Sequence, residues 1–205
     1  IFILGIMNSI NLIDGIDNIA ASLSIVISIF FIVLSKIIGF NGIDIFFYMI
    51  IGCLSSYLLY SNFYNRVFIG DAGSLLIGWL FSITSILFMN FSNKVLIDFP
   101  FIFLFIPAFD VIYVMIYRFF NSNNKFILDR FKAIFIPDKM HIHHSLLKIG
   151  MNDFIICFVL CSILFLVSLL YIKYIFYFDF FYKYLFINVL FVIYIFFRIR
   201  IDRLI

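Results

Sequence analysis

"AASLSIVISIFFIVLSKII", residues Ala20–Ile38, is apolar almost throughout, and its single charged side chain, Lys36, lies near its end. A helix that crosses the hydrocarbon core of a bilayer needs about 20 consecutive, mostly apolar residues. The rest of the chain has the same character, because 66% of its 205 residues are hydrophobic and 32 are phenylalanine. Soluble domains are only about half apolar. The composition therefore excludes an ordinary soluble domain and predicts a membrane protein.

Six stretches are long and apolar enough to be predicted as membrane spans. They are roughly Ala20–Ile38, Ile45–Tyr60, Leu75–Phe91, Phe99–Phe119, Phe154–Ile172 and Tyr184–Phe197. The residues before Asn8 have the composition of the end of an earlier span, and Pro107 should kink the fourth span. We predict an all-α fold, a polytopic transmembrane helix bundle of about six full spans plus the end of an earlier one. Residues 1–205 should form a single integral membrane domain, the C-terminal part of a larger protein.

The distribution of positive charge predicts how this bundle is oriented. Alternating spans place residues 8–17, 61–73, 121–153 and the C-terminal tail on one side of the membrane. That side carries ten of the 14 lysines and arginines, and the other side carries four. By the positive-inside rule, the first side should be cytoplasmic.

A first polar cluster lies in "NSINLIDGIDN", residues 8–18, where Asn8, Asn11, Asp14 and Asp17 recur at steps of three. On a helix these four side chains would share one face. Carboxylates beside an apolar helix end are costly unless they are paired or solvated, so they indicate function. The alternative is a polar cap for the next span, since Asp is a favourable helix N-cap.

A second cluster lies in "NRVFIGDAGSLLIG", residues 65–78, where Gly70 and Gly73 flank Asp71 just before a span. Small residues let a ligand approach the backbone, and a helix N-terminus offers free N–H groups to phosphate. Asp71 could then hold Mg²⁺, which binds few carboxylates together with substrate phosphate oxygens. The segment lacks the Gly-Lys-Ser/Thr ending of a P-loop. The alternative is an ordinary turn, capped by Asp71 or Ser74.

The third cluster, "PDKMHIHHSLLKIG" at residues 137–150, contains every histidine of the chain: His141, His143 and His144. Imidazole binds zinc well, but two adjacent histidines would diverge on a helix, which weakens a three-histidine zinc site. Imidazole also hydrogen-bonds phosphate and exchanges protons near neutral pH, and Lys139 would add positive charge. The alternative is a basic loop attracted to anionic lipid.

Asp110 lies inside the fourth predicted span, where a carboxylate needs a partner. Arg118 lies two helical turns away on roughly the same face. Together, carboxylates, a glycine turn and histidines at one membrane face suit Mg²⁺-assisted phosphoryl chemistry on a lipid.

Four ordered motifs carry a resemblance to a known family over about residues 1–150. They are "NLIDGIDNIA", "VFIGDAGSLLIG", "IPAFDVIYVMIYR" and "PDKMHIHHSLLKIG". They resemble the polyprenyl-phosphate N-acetylhexosamine-1-phosphate transferases, glycosyltransferase family 4. The resemblance implies a bacterial inner-membrane enzyme with cytoplasmic active-site loops. It would transfer a sugar-1-phosphate from a UDP-sugar to undecaprenyl phosphate, release UMP, and so initiate a cell-wall or O-antigen glycan.

The resemblance also implies roles for individual residues and a cofactor. Asp71 would bind Mg²⁺, with Mn²⁺ as an alternative ion, and would act in catalysis with the three histidines, which would contact the donor phosphates or assist their transfer. The expected substrate-binding residues are Asn8, Asn11, Asp14, Asp17, Asn65 and Lys139. The His-Ile-His-His form is more similar to the GlcNAc-1-phosphate branch than to the phospho-MurNAc-pentapeptide branch. The expected partners are UDP-N-acetylhexosamine, undecaprenyl phosphate and membrane lipid, without nucleic acid.

The sequence departs from the family pattern at several points. Asn18 stands where the family often has Gly, and Ser145 stands where Arg is common. The family carries an Asp-Asp pair in an earlier cytoplasmic loop, and since this sequence contains none, we expect that pair before Ile1. Two alternatives to the enzyme are a divalent-cation transporter and a catalytically inactive membrane fragment.

Overall fold

The computed structural model describes residues 1–16, 18–64, 69–91, 99–121, 130, 132, 140–174, 177 and 180–204. Within this described part the chain forms no strand, and nine helices have described bounds. In chain order they are α1 (Phe2–Ile13), α2 (Ile19–Ile38), α3 (Ile43–Phe63), α4 (Gly70–Phe91), α5 (Phe99–Phe103), α6 (Phe105–Asn121), α7 (Ile142–Lys148), α8 (Asp153–Tyr174) and α9 (Phe180–Asp202).

Five of these helices, α2, α3, α4, α8 and α9, are long and apolar enough to cross a membrane. The prediction of an all-α, multi-pass membrane bundle is thereby confirmed. The helices extend beyond the predicted spans at most ends. The spans were predicted from their apolar length, and helix boundaries placed in this way are uncertain by a few residues. Helix α1 has only 12 residues and includes Asn8 and Asn11.

The fourth predicted span, Phe99–Phe119, forms two consecutive helices, which agrees with the kink predicted from Pro107. The helix is interrupted at Leu104, between α5 and α6. Pro107 explains the break, because it has no N–H to donate to the carbonyl of Phe103 and its ring would collide with that carbonyl. The N–H of Ala108 still donates to the Leu104 carbonyl at 2.9 Å, so the chain continues as a helix beyond the break.

An aromatic cluster around Phe31 of α2 ties α2 to α3, α4 and α5. Phe31 is fully buried, and the ring centroids of five other phenylalanines lie 4.7 to 5.9 Å from its own. These neighbours are Phe47, Phe81, Phe88, Phe99 and Phe103. Between helices in lipid such packing takes the place of the hydrophobic effect, since the lipid tails are as apolar as the side chains.

Helices α1 and α4 approach each other closely at Gly78. A Cβ atom at this position would lie 2.6 Å from the Cα of Met7. Since any larger residue would force the two helices apart, Gly78 permits a backbone contact of the kind that small residues provide in membrane proteins. This contact sets α1 against α4, which brings the first polar segment next to the second.

Candidate functional site

The first polar segment begins on α1 and continues past its end. Helix α1 ends at Ile13, and Asp14 follows it with φ −74° and ψ 31°. Asn8 and Asn11 therefore lie on α1, and Asp14 is the C-cap residue directly after it. Asp17 lies outside the described residues, so the shared face of all four side chains stays a prediction.

Asn18 is the residue that precedes α2, and it has a left-handed backbone with φ 69°. Glycine adopts this conformation at no steric cost, and Asn tolerates it better than most other residues. This explains how Asn18 can replace the Gly that the resembling family often has. Asn18 makes no side-chain capping bond to α2, and its amide donates instead to Asn62 Oδ1 at 2.8 Å. The N-cap position of α2 is thus occupied by Asn18 and not by an aspartate.

The second polar segment forms the first turn of α4. Gly70 has φ 69°, and the Asp71 side chain that follows is exposed. Ser74, one turn further on, is fully buried, and its hydroxyl donates to Asn11 Oδ1 at 2.5 Å. The first and second motifs are thus joined directly, by a side-chain hydrogen bond between α1 and α4. Asn65, the third asparagine predicted to bind substrate, lies outside the described residues.

Asp71 has the chemistry of a partial magnesium site. Its carboxylate is exposed, and among the described residues no other side chain bonds it. No group of three or more His, Cys, Asp or Glu side chains in the described part could hold a metal ion. Mg²⁺ usually keeps several waters and binds one or two carboxylates together with substrate phosphates. Asp71 fits that mode, and neither a dedicated protein cage nor a three-histidine zinc site is formed by the described residues.

The histidine segment forms the short helix α7, and Asp110 of α6 holds its start. His141 is 5% exposed, and its Nδ1 lies 2.7 Å from Asp110 Oδ2. The backbone N–H of Ile142 donates to the other carboxylate oxygen, Oδ1, at 3.0 Å. The partner that Asp110 requires is therefore the histidine segment, and not Arg118 on its own helix. Lys139 lies outside the described residues.

His143 is buried where α7 meets the end of α1. It has no exposed surface, and neither ring nitrogen has a hydrogen-bond partner within the described part. Its Nε2 lies 2.2 Å from the position that a Cβ on Gly15 would occupy, so the third motif touches the first. Burial, followed by the nearby His144, lowers the pKa of His143 to about 3. At neutral pH the imidazole is uncharged and can either donate or accept a hydrogen bond.

His144 is half-buried, and the centroid of its ring lies 4.2 Å from that of His143. The centroid of the His141 ring lies 6.0 Å from that of His143, with the two ring planes nearly parallel. The three imidazoles therefore stand side by side, with His143 in the middle.

The last helix, α9, also reaches this region through three polar side chains. The Tyr194 hydroxyl donates to Asp110 Oδ1 at 2.8 Å, and Arg198 Nη2 donates to the Met140 carbonyl. Asp202 accepts the hydroxyl of Ser145 at 3.2 Å. None of the predicted functional motifs lies in the last two predicted spans, so these residues were not expected at the site.

A signal for them exists in the sequence, because Tyr194, Arg198 and Asp202 recur at steps of four and share one helix face. A polar stripe of this kind on an apolar span predicts a buried polar contact. Its partners could not be read from the spacing alone.

Comparison with known proteins agrees with the motifs. Residues 1–89 match the model of the family described as glycosyl transferase family 4. Over 154 residues the chain is 35% identical to a Bacillus subtilis (strain 168) protein named probable undecaprenyl-phosphate N-acetylglucosaminyl 1-phosphate transferase. This alignment covers 74% of the chain and 40% of the relative.

A second kind of relative is phospho-N-acetylmuramoyl-pentapeptide-transferase. The protein of that name from Staphylococcus carnosus is 32% identical over 98 residues, which are 48% of the chain and 30% of the relative. The one from Clostridium perfringens (strain 13 / Type A) is 36% identical over 74 residues, 36% of the chain and 23% of the relative. The chain therefore spans 40% or less of the length of these relatives. No solved structure matches it. These matches confirm the resemblance that the four motifs carry.

Proposed function

Because this chain belongs to glycosyl transferase family 4, we propose that it forms part of a membrane enzyme that transfers N-acetylhexosamine-1-phosphate to a lipid phosphate. The donor is a UDP-sugar, the acceptor is undecaprenyl phosphate, and the second product is UMP. The favoured sugar is GlcNAc, which the name of the Bacillus subtilis relative also contains. The lipid-linked product would initiate a glycan of the bacterial cell envelope.

One observation carries this proposal: three motifs that are distant in sequence meet at the end of α1. Ser74 bonds Asn11 there, and His143 packs against Gly15. The meeting point therefore combines polar groups of α1, the N-terminus of α4 and a buried, neutral imidazole. Free N–H groups at a helix N-terminus attract phosphate, and a neutral imidazole can bond phosphate or exchange a proton with it.

Individual residues of the chain would have different roles in substrate binding and transfer. His143 would hydrogen-bond a donor phosphate or hold a proton during transfer, with His144 beside it. Asn8, Asn11 and Asp14 would bind the substrates at this end of the bundle, and Asp17, Asn65 and Lys139 are proposed as further substrate-binding residues. Asp71 would hold Mg²⁺, which when bound neutralises phosphate charge and polarises the phosphoryl group.

The position of the site suits two substrates of opposite character. The polar groups gather beyond the ends of apolar helices, on the side that the charge distribution predicts to be cytoplasmic. A water-soluble nucleotide sugar can reach this face from the cytoplasm, and the lipid phosphate can reach it from the bilayer. A cation transporter would instead be expected to place its polar site near the bilayer midplane.

The test is a transfer assay with the intact membrane protein in lipid nanodiscs. It contains UDP-GlcNAc, undecaprenyl phosphate and Mg²⁺, and mass spectrometry measures the lipid-linked product and UMP. We expect both products in equal amounts, and a large loss with His143→Ala at an unchanged protein level. A parallel assay contains UDP-MurNAc-pentapeptide in place of UDP-GlcNAc. Product formation in this assay alone would identify UDP-MurNAc-pentapeptide as the donor. Absence of UMP release with both donors would contradict the proposed reaction.

A further inference from the structure

Helix α7 is held at its N-terminal end by side chains from two other helices. Within residues 140–145, the Met140 carbonyl, the His141 ring, the Ile142 N–H and the Ser145 hydroxyl each bond to a side chain of α6 or α9. The side chains that hold them are Asp110, Arg198 and Asp202. Asp202 is itself held by the Tyr113 hydroxyl, which donates to its Oδ2 at 2.8 Å.

Arg198 is the centre of this arrangement. It is fully buried, and its guanidinium lies between two carboxylates, with Nε 3.9 Å from Asp110 Oδ1 and Nη1 3.5 Å from Asp202 Oδ1. Its guanidinium carbon also lies 4.9 Å from the centroid of the Tyr113 ring. Its Nη2 bonds the Met140 carbonyl, while Nε and Nη1 face the two carboxylates without hydrogen-bonding them. A planar guanidinium can face all these partners at once, which the single ammonium of a lysine could not do.

A buried ion pair of this kind is weak evidence for a role in stability. Apolar residues of similar volume often stabilise a fold as well or better, because both charges must be desolvated. What the bond to the Met140 carbonyl and the two nearby carboxylates do provide is a fixed geometry. The geometry fixed by Arg198 is that of α7 relative to α6 and α9.

His143 is the residue whose position depends on that geometry. It lies among residues 140–145, which side chains of α6 and α9 hold in place. Its own ring nitrogens nevertheless have no hydrogen-bond partner within the described part. Nothing polar there holds the ring in place, so its contact with Gly15 is determined by where α7 as a whole is held.

We propose that Arg198 is a positioning residue: together with Asp110 it holds α7 so that His143 stays against the turn at Gly15. The guanidinium does not touch substrate in this arrangement. Its effect on catalysis rests on the proposed function and passes through His143 alone. The last helix thereby becomes part of the active-site architecture, although it lies outside the four motifs of the sequence.

The first test needs no enzymatic activity. Diethyl pyrocarbonate modifies accessible neutral imidazoles, and mass spectrometry of peptides reports the modification of each histidine separately. We expect His143 to be protected from diethyl pyrocarbonate in the wild-type protein. In Arg198→Met its reactivity should rise about tenfold, because local opening of the site becomes easier. Arg200→Met is the matched control, because Arg200 is exposed on the same helix. Unchanged protection of His143 in a folded Arg198→Met protein would overturn the proposal.

The second test separates positioning from general stability. A misplacement of a catalytic group by about 1 Å costs about 10²-fold in rate, so kcat should fall by about 10- to 100-fold in Arg198→Met while KM for the UDP-sugar changes little. In a His143→Ala background the same change should cost nothing further, since groups that act as a unit are not additive. Equal losses in both backgrounds would show that Arg198 does not act through His143.

Tyr194→Phe covers the case in which Arg198→Met does not fold, because it removes one hydroxyl donor to Asp110 and keeps the ring. It should expose His143 to a smaller degree than Arg198→Met does. If the reactivity of His143 in Tyr194→Phe equals that in the wild-type protein, this result would count against the proposal. If the wild-type protein transfers no sugar-1-phosphate, the proposed function is rejected. The diethyl pyrocarbonate assay would still decide whether Arg198 and Asp110 hold α7 in place.

Discussion

His143 and Gly15 are in contact so close that a side chain at Gly15 would require the imidazole or the turn to shift. A Cβ on Gly15 would lie 2.2 Å from Nε2 and 3.0 Å from Cε1 of the ring. Gly15 lies in the first polar segment, and His143 lies on α7, far from it in the sequence. The absence of a side chain at Gly15 is therefore what allows the histidine segment to reach the end of α1.

Gly15→Ala should displace either the α1 turn or the His143 ring. Since about 1 Å of misplacement costs about 10²-fold in rate, turnover at saturating UDP-sugar should fall by that order. Gly5→Ala is the matched control, because a Cβ at Gly5 meets nothing within 4 Å. Equal activity of the two variants, measured as initial rates of UMP release, would show that the contact is not needed for transfer.

Ser74→Ala should destabilise the protein more than Ser82→Ala. Both serines are fully buried on α4, but the Ser74 hydroxyl bonds Asn11 of α1, while that of Ser82 bonds the Trp79 carbonyl of its own helix. Side-chain bonds between membrane helices contribute about 0.6 kcal/mol on average and up to about 1.7 kcal/mol. Thermal unfolding in one detergent measures the difference. A Ser82 variant that is as destabilised as the Ser74 variant would argue against the link between the motifs.

Asp71→Asn keeps the shape of the side chain but removes the negative charge offered to Mg²⁺. Loss of several kcal/mol of charge stabilisation should reduce turnover by orders of magnitude. Asp153→Asn is the control, because Asp153 also lies in the first turn of a membrane-spanning helix. The measurement is the transfer rate as a function of Mg²⁺ concentration. Near-normal turnover with an unchanged Mg²⁺ dependence would remove Asp71 from the metal site.

The burial of His143 should make the fold less stable in acid. Its pKa is lowered to about 3 in the folded protein, while an unfolded histidine titrates near 6.5. Between these values the unfolded state binds one proton more, so the contribution of His143 to stability is complete above about pH 6.5 and decreases as the pH falls toward 3. The slope from one proton is at most about 1.4 kcal/mol per pH unit.

The check is thermal unfolding of the intact protein between pH 7 and about pH 4.5, above the range where carboxylates protonate. His143→Asn should flatten the decrease, whereas His144→Asn, at a half-buried position, should flatten it less. If stability falls equally with pH in the wild-type protein and in His143→Asn, the buried ring does not determine the pH dependence of stability.

The sequence by itself determined the membrane class and the approximate positions of the spans. Apolar length is a local property of the chain, since lipid requires about 20 apolar residues in a row and internal hydrogen bonding of the backbone. For the same reason Pro107 could be recognised as the cause of a kink, because its missing N–H affects only the preceding turn. The residues of the four motifs could likewise be identified as polar exceptions in an apolar chain.

Only the tertiary structure decided which of these polar residues meet. Asn11 bonds Ser74 of another helix, and Asp110 found partners in His141 and in Tyr194 of α9. Spacing along a helix gives the face on which a side chain lies but does not give the helix that packs there. That choice depends on how all the helices fit together, through contacts such as Gly78 against Met7, and these join residues whose separation in sequence carries no local signal.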